Sequence, residues 1–152
     1  MNSSRRSVCR TGSTLRCDAK AMLPDKVRKL FQEHLWYIAT YGNEPNVVPV
    51  GFKCVCDDGR LAIGAVLLET TLENIRANGK IAVSCADPLT GEAYQIKGTA
   101  ELVTEGEAYD HYQKLTEDTF KGAMSLKCAV IITPEKLINC SPNEHNKEEI
   151  SL

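Results

Sequence analysis

Thr70, Thr71 and Asn74 place two hydroxyls and an amide within one turn of chain, at the point where the sequence changes from an apolar strand pattern to a helical one. Polar donors at a helix start are suited to an anion, because the first backbone N–H groups of a helix lack intrahelical partners and point outward. The same residues also suit a plain helix cap that faces only water, so both readings stand at this point. About twenty residues earlier runs Pro45-Asn46-Val47-Val48-Pro49-Val50-Gly51-Phe52, an apolar strand interrupted by prolines. Pro49 has no N–H to give to a ladder, so it belongs on a sheet edge or beside something other than a partner strand. A flat ligand resting there would meet backbone groups and small apolar side chains; the alternative is an ordinary edge strand.

Other reactive side chains are less informative. Cys54-Val55-Cys56 puts two thiols on one strand face, since side chains alternate with period two. No second Cys pair at ligand spacing accompanies them, and His34, His111 and His145 are scattered, so a tetrahedral metal site is not indicated. Seven cysteines are an odd number with no secretory signal in front, which favours reduced, buried thiols and a cytoplasmic setting. The tyrosines at 109 and 112 read as helix packing, and Glu144, Glu148 and Glu149 as a solvated tail. No side chain stands out as an acid, base or nucleophile.

The elements that must hold these residues follow from periodicity and turn chemistry. Pro24 and Asp25 open a helix, and Val27, Leu30, Phe31, His34 and Leu35 continue it at helical spacing. Strands are expected at 36–41, 46–56, 60–68, 80–86, 92–103 and 127–133, separated by turns such as Asp57-Asp58-Gly59. A helix of about eight residues starts near Thr71 and stops at Asn78-Gly79, and an amphipathic one runs from 104 to 120. Pro134-Glu135-Lys136 reads as a turn, residues 137–139 as a short extension, and 141–152 as a polar tail without periodicity. Short links between strands favour an antiparallel sheet, and six strands in a chain of this size favour closure into a small barrel.

Composition excludes several classes. With 43% apolar and 25% charged residues the 152-residue chain is ordinary globular material, and no run reaches the ~18 apolar residues that span a bilayer. The net charge of −2 is unevenly spread. Residues 1–21 hold five basic residues against Asp18 alone, while the remainder, with 13 basic and 19 acidic residues, is at −6. An acidic body repels nucleic-acid phosphates. The leader lacks the apolar core of a secretory signal; it reads either as an organelle transit segment or as a disordered extension ahead of Met22. The expected organisation is this leader, one domain over 22–140, and the tail.

Residues 22–145 resemble the pyridoxamine 5′-phosphate oxidase-like family of FMN-binding split barrels, closer to its small general members than to the vitamin B6 oxidase. The resemblance is carried by residues 23–35, Ile38-Ala39-Thr40, residues 45–52, Asp58-Gly59-Arg60-Leu61 and Thr71-Leu72-Glu73-Asn74-Ile75. It continues through Gln95-Ile96-Lys97-Gly98-Thr99-Ala100-Glu101 and Ser141-Pro142. It implies a mainly β, six-stranded antiparallel split barrel of Greek-key type with flanking helices, and a homodimer with FMN at the interface. By position, the flavin ring would lie along Val48, Pro49, Val50 and Lys53. The phosphate would approach Gly64, Thr70, Thr71 and Asn74, and Gln95 and the tail would close the site. The implied activity is oxidoreduction or electron carriage by bound FMN; the alternative is a non-catalytic ligand-binding or interaction barrel that has lost the flavin. One departure bears on this choice. Where the family commonly has Lys or Arg before the Thr of the phosphate motif, this chain has Glu69-Thr70, leaving Arg76, Lys80 or Lys53 to supply a cation.

Overall fold

The computed structural model describes residues 23–152; the basic leader, residues 1–21, lies outside them. Eight strands form one antiparallel sheet with three helices. In chain order these are α1 (Asp25–Glu33), β1 (Trp36–Tyr41), β2 (Pro45–Val50), β3 (Lys53–Val55), β4 (Leu61–Ala65) and α2 (Thr70–Asn78). There follow β5 (Lys80–Ala86), β6 (Ala93–Val103), α3 (Glu107–Phe120), β7 (Cys128–Asn139) and β8 (Glu149–Ile150). The sheet runs β2-β1-β5-β6-β7-β4-β3, with β8 beside the far half of β7. Its two edges, β2 and β3, are consecutive in the chain, joined by Gly51-Phe52, yet share no ladder. The sheet therefore curls back on itself and stays split at that seam, as the split-barrel expectation has it.

Three local expectations are corrected. Residues 46–56 are not one strand: β2 pairs with β1, and β3 pairs with β4 on the opposite edge. Pro49 limits β2 to a one-sided ladder, and at Gly51-Phe52 the chain changes edges while the Phe52 carbonyl accepts the Gly64 N–H at 2.9 Å. Pro134 is not in a turn, because β7 continues through it. Opposite lies a register shift at Lys97/Gly98: Lys97 faces Lys136 and Gly98 faces Pro134, so Glu135 is the extra residue and β7 bulges beside the proline, which has no N–H to offer. Gly98 is needed there, since a Cβ would run into the Thr133 carbonyl. The tail is not shapeless either: β8 pairs with Leu137 and Ile138, and Ile150 and Leu152 pack on the core. Together these changes raise the strand count from the expected six to eight.

Alternation along the strands sorts side chains into an interior and an exterior. Trp36, Ile38, Val83, Ile96, Leu61, Ile63, Val130 and Ile132 fill the interior, joined by Leu23, Val27, Leu30 and Phe31 from the α1 region and by Leu72 and Ile75 of α2. A second cluster forms on the exterior of β3, β4 and β7, where Cys54, Cys56, Ala62, Ala129 and Ile131 lie beneath Ala108 and Tyr112 of α3. Cys54 and Cys56 thus share a face, as their spacing requires, and it is a buried one. Small residues on β4 let α3 sit close: a Cβ at Gly64 would lie 2.7 Å from the Tyr112 ring.

Among the described residues, no helix covers the exterior of the other half of the sheet. Register aligns Pro49, Tyr37, Ser84 and Gln95 in one row across β2, β1, β5 and β6, and Val47, Ala39, Ala82 and Lys97 in the next. Tyr37 (51% exposed), Tyr41 (54%) and Val47 (64%) leave this face apolar and open. Among the described residues no helix is long and apolar enough to cross a membrane.

Candidate functional site

The seam between β2 and β3 opens into a cleft of about 260 Å³. Pro49, Val50, Gly51 and Phe52 form one wall; Gly64, Val66, Leu67, Leu68 and Phe120 form the rest. The lining is almost wholly apolar. Phe52 is fixed from behind, lying 6.5 Å from the Tyr112 ring and nearly parallel to it (15°), with Phe120 at 6.0 Å. Tyr112 is anchored in turn by its hydroxyl, which donates to the Ala62 carbonyl at 3.0 Å. A planar ligand can enter such a slot because the ladder is interrupted there and because Pro49 and Gly51 keep the wall low.

Three of the residues singled out from sequence, Pro49, Val50 and Gly64, therefore meet in the cleft. Val48 is half-buried and packs inward on the core one residue away. Thr70 is exposed at the start of α2, two residues beyond the cleft-lining Leu68. Thr71 and Asn74 are placed differently: they are buried, at 1% and 8% exposure. Asn46 Nδ2 donates to the Thr71 hydroxyl at 3.0 Å and to the Thr40 hydroxyl at 3.3 Å, and Asn74 Nδ2 donates to Thr40 at 3.0 Å. This four-residue network locks α2 to β1 and β2. The N-cap position of α2 is Glu69, whose side chain makes no capping bond, so Thr71 is the second residue of the helix and not its cap.

Lys53 points away from the cleft, under the C-terminal end of α1. Its ammonium donates to the Phe31 carbonyl at 2.8 Å and to the Gln32 carbonyl at 3.5 Å, and lies 4.9 Å from the Trp36 ring centre. The C-terminal end of α1 has no basic residue of its own, and Lys53 supplies the positive charge that its carbonyls favour. Half-burial lowers the Lys53 pKa below the ordinary lysine value, partly offset by the nearby thiols of Cys85 and Cys54. Cys85, deep in the core, is pushed up to about 11 by its own burial. Gln95 lies half-buried on the open sheet face, in the row of Pro49 but three strands away.

The cation missing beside Glu69 in the sequence is present in space. Lys127, just ahead of β7, sends its ammonium to the Leu68 carbonyl at 2.9 Å and to within 3.8 Å of the Glu69 carboxylate. Its backbone N–H is tied to the Ala65 carbonyl at 2.8 Å. Arg76 and Lys127 both act on the Cys128 thiol, drawing its pKa down against the dominant effect of burial, which raises it. Sequence offered no signal for Lys127, because 58 residues separate it from Glu69 and only the β4–β7 ladder unites them.

The model of the pyridoxamine 5′-phosphate oxidase family matches residues 23–143. An uncharacterized protein of Methanocaldococcus jannaschii is 31% identical over 129 residues, covering 80% of this chain and 83% of that protein. Among solved structures, HupZ of Group A Streptococcus superposes with a TM-score of 0.70 at 26% identity, covering 86% of this chain and 99% of that one. An FMN-binding protein of Syntrophomonas wolfei shares the fold, with a TM-score of 0.62 at 19% identity, over 78% of this chain and 86% of its own. The match over most of the chain and the common split-barrel architecture lead to one conclusion: the chain belongs to the pyridoxamine 5′-phosphate oxidase family.

Proposed function

We propose that the protein is an FMN-binding flavoprotein that works as an oxidoreductase or electron carrier, with the flavin ring in the β2/β3 cleft and the phosphate toward Leu68, Thr70 and Lys127. The observation that carries this reading is the cleft itself, an apolar slot at the seam between β2 and β3, with the Lys127 ammonium bonded to the carbonyl of its lining residue Leu68. Bound FMN supplies hydride or electron transfer; the protein supplies position and exclusion of water. Pro49 and Gly51 leave backbone accessible to the ring edge, while Phe52 and Phe120 exclude solvent from its back. Membership of the family and the shared fold of an FMN-binding protein support the assignment.

The cleft, at about 260 Å³, is slightly below the roughly 300–1,000 Å³ of common ligand sites, so one chain gives only part of an enclosure. Pro49 belongs both to the cleft and to the open apolar face with Tyr37 and Val47. A second copy docked on that face would cover the cleft mouth and bring its own Gln95 row near it. The protein is thus read as a homodimer that completes two flavin sites, working in the cytoplasm. A second reading, a barrel that binds no flavin, is favoured by one observation: Glu69 sets a carboxylate where the phosphate would go.

Absorbance after denaturation separates the two. The purified protein is expected to release FMN in near 1:1 ratio, or to take it up on reconstitution. Gly51→Leu should fold normally, because a Cβ there meets nothing within 4 Å and its φ is outside the left-handed region. Its side chain would fill the cleft and abolish uptake. A colourless wild type that cannot be reconstituted, or a Gly51→Leu variant with unchanged affinity, would refute the placement.

A further inference from the structure

Lys127 is held beside the cleft, next to its lining residue Leu68. Its backbone is pinned to β4 and its ammonium to the carbonyl of Leu68, a residue of the cleft lining. An ammonium carries three donors, and among the described residues the Leu68 carbonyl takes one. The Glu69 oxygen at 3.8 Å is beyond hydrogen-bonding distance, and the Glu69 side chain is 82% exposed. The carboxylate is therefore a loose counter-ion that swings into water at little cost. Charge decides what can replace it. A monoanionic ligand group offers Lys127 no more charge than Glu69 already does, whereas a phosphomonoester dianion does.

From this geometry we infer that Lys127 is the phosphate-binding cation of the cleft and that Glu69 is a built-in competitor, displaced when a phosphomonoester dianion arrives. The inference rests on the flavin reading above and adds to it: the site selects for the phosphorylated flavin, and resident carboxylate sets how tightly it is held. The pair also explains how a chain without a basic residue before Thr70 can keep a phosphate site.

Wild type, Lys127→Met and Glu69→Gln are titrated with FMN and with riboflavin, following flavin fluorescence, after circular dichroism has confirmed folding. Lys127→Met is expected to weaken FMN about tenfold or more and to leave riboflavin unchanged. Glu69→Gln, at an exposed position that folding does not depend on, is expected to tighten FMN severalfold and leave riboflavin unchanged. Equal changes for both flavins, or no change for FMN in either variant, would overturn the inference. If wild type binds neither flavin, the flavin reading falls, and inorganic phosphate decides the inference separately by amide shifts at Thr70. A phosphate response lost in Lys127→Met and strengthened in Glu69→Gln upholds it; no response in wild type overturns it.

Discussion

Replacing Gly64 by alanine tests the link between the second core cluster and the cleft. A Cβ at this position would stand 2.7 Å and 2.8 Å from Cδ1 and Cγ of Tyr112, and 3.1 Å from its Cβ. Carbon atoms in contact prefer about 3.5–4.0 Å, so the ring must retreat by roughly 1 Å. Tyr112 is 1% exposed and has nowhere to go without moving α3. Overpacking of this kind costs about 1–3 kcal/mol. The retreat also stretches the 3.0 Å bond from the Tyr112 hydroxyl to the Ala62 carbonyl, a bond that contributes about 0.5–1.5 kcal/mol. The expected loss is about 2–4 kcal/mol, read as a lower urea midpoint with the slope unchanged. For a domain of this size each kcal/mol lowers Tm by about 2–4 °C. Because the clash is with one ring, Gly64→Ala should cost much less in a Tyr112→Ala background. A single-variant cost under about 0.5 kcal/mol, or the same cost in both backgrounds, would refute the reasoning, since each would show that Gly64 is not what admits Tyr112.

Asn74→Ala deprives the buried Thr40 hydroxyl of a donor and should destabilise by about 1–3 kcal/mol in urea unfolding; a neutral result would mean that the network does not hold α2. Cys85, raised to about 11 by burial, retains its proton in the folded state at pH values where the unfolded thiol has lost its own. Stability from this group is complete below about pH 9 and is lost as pH rises toward 11. Lys53, lowered in the folded state, acts with the opposite sign as pH approaches 10.5 and blunts the trend. Unfolding curves at pH 8.5 and 10.5 should therefore diverge less for Cys85→Ala than for wild type, and parallel pH dependence would count against the assignment. If the homodimer proposed above forms through the open sheet face, Tyr37→Glu puts a charge in its middle and should shift sedimentation from dimer to monomer; an unchanged dimer would place the interface elsewhere.

The parts of the fold legible in the sequence are those fixed by near neighbours. Ile81, Val83 and Cys85 alternate without interruption, and β5 spans Lys80–Ala86 as that alternation requires. Val27, Leu30 and Phe31 mark the buried face of α1 at helical spacing. Features set by distant partners were not legible. Pro134 looks like a turn until it is seen that β7 carries it beside a bulge at Glu135, opposite Lys97 and Gly98 of another strand. Thr71 and Asn74 look like a free polar pair until Thr40 and Asn46 close around them. The cleft shows the same division: Pro49 announces an interrupted ladder, but Gly64, Leu68 and Phe120 join it only through the curl of the sheet.

The seam between β2 and β3 has a dynamic consequence. Apart from the β7–β8 pair, the ladders lie on the path from one edge round to the other, and between the two edges the backbone link is Gly51-Phe52. The barrel can therefore breathe at that seam by bending at two residues, without breaking a strand pairing. A ligand touching both walls would act as a strut. Hydrogen exchange should report it as slower opening of amides on β2 and β3, with the ladders behind them unchanged.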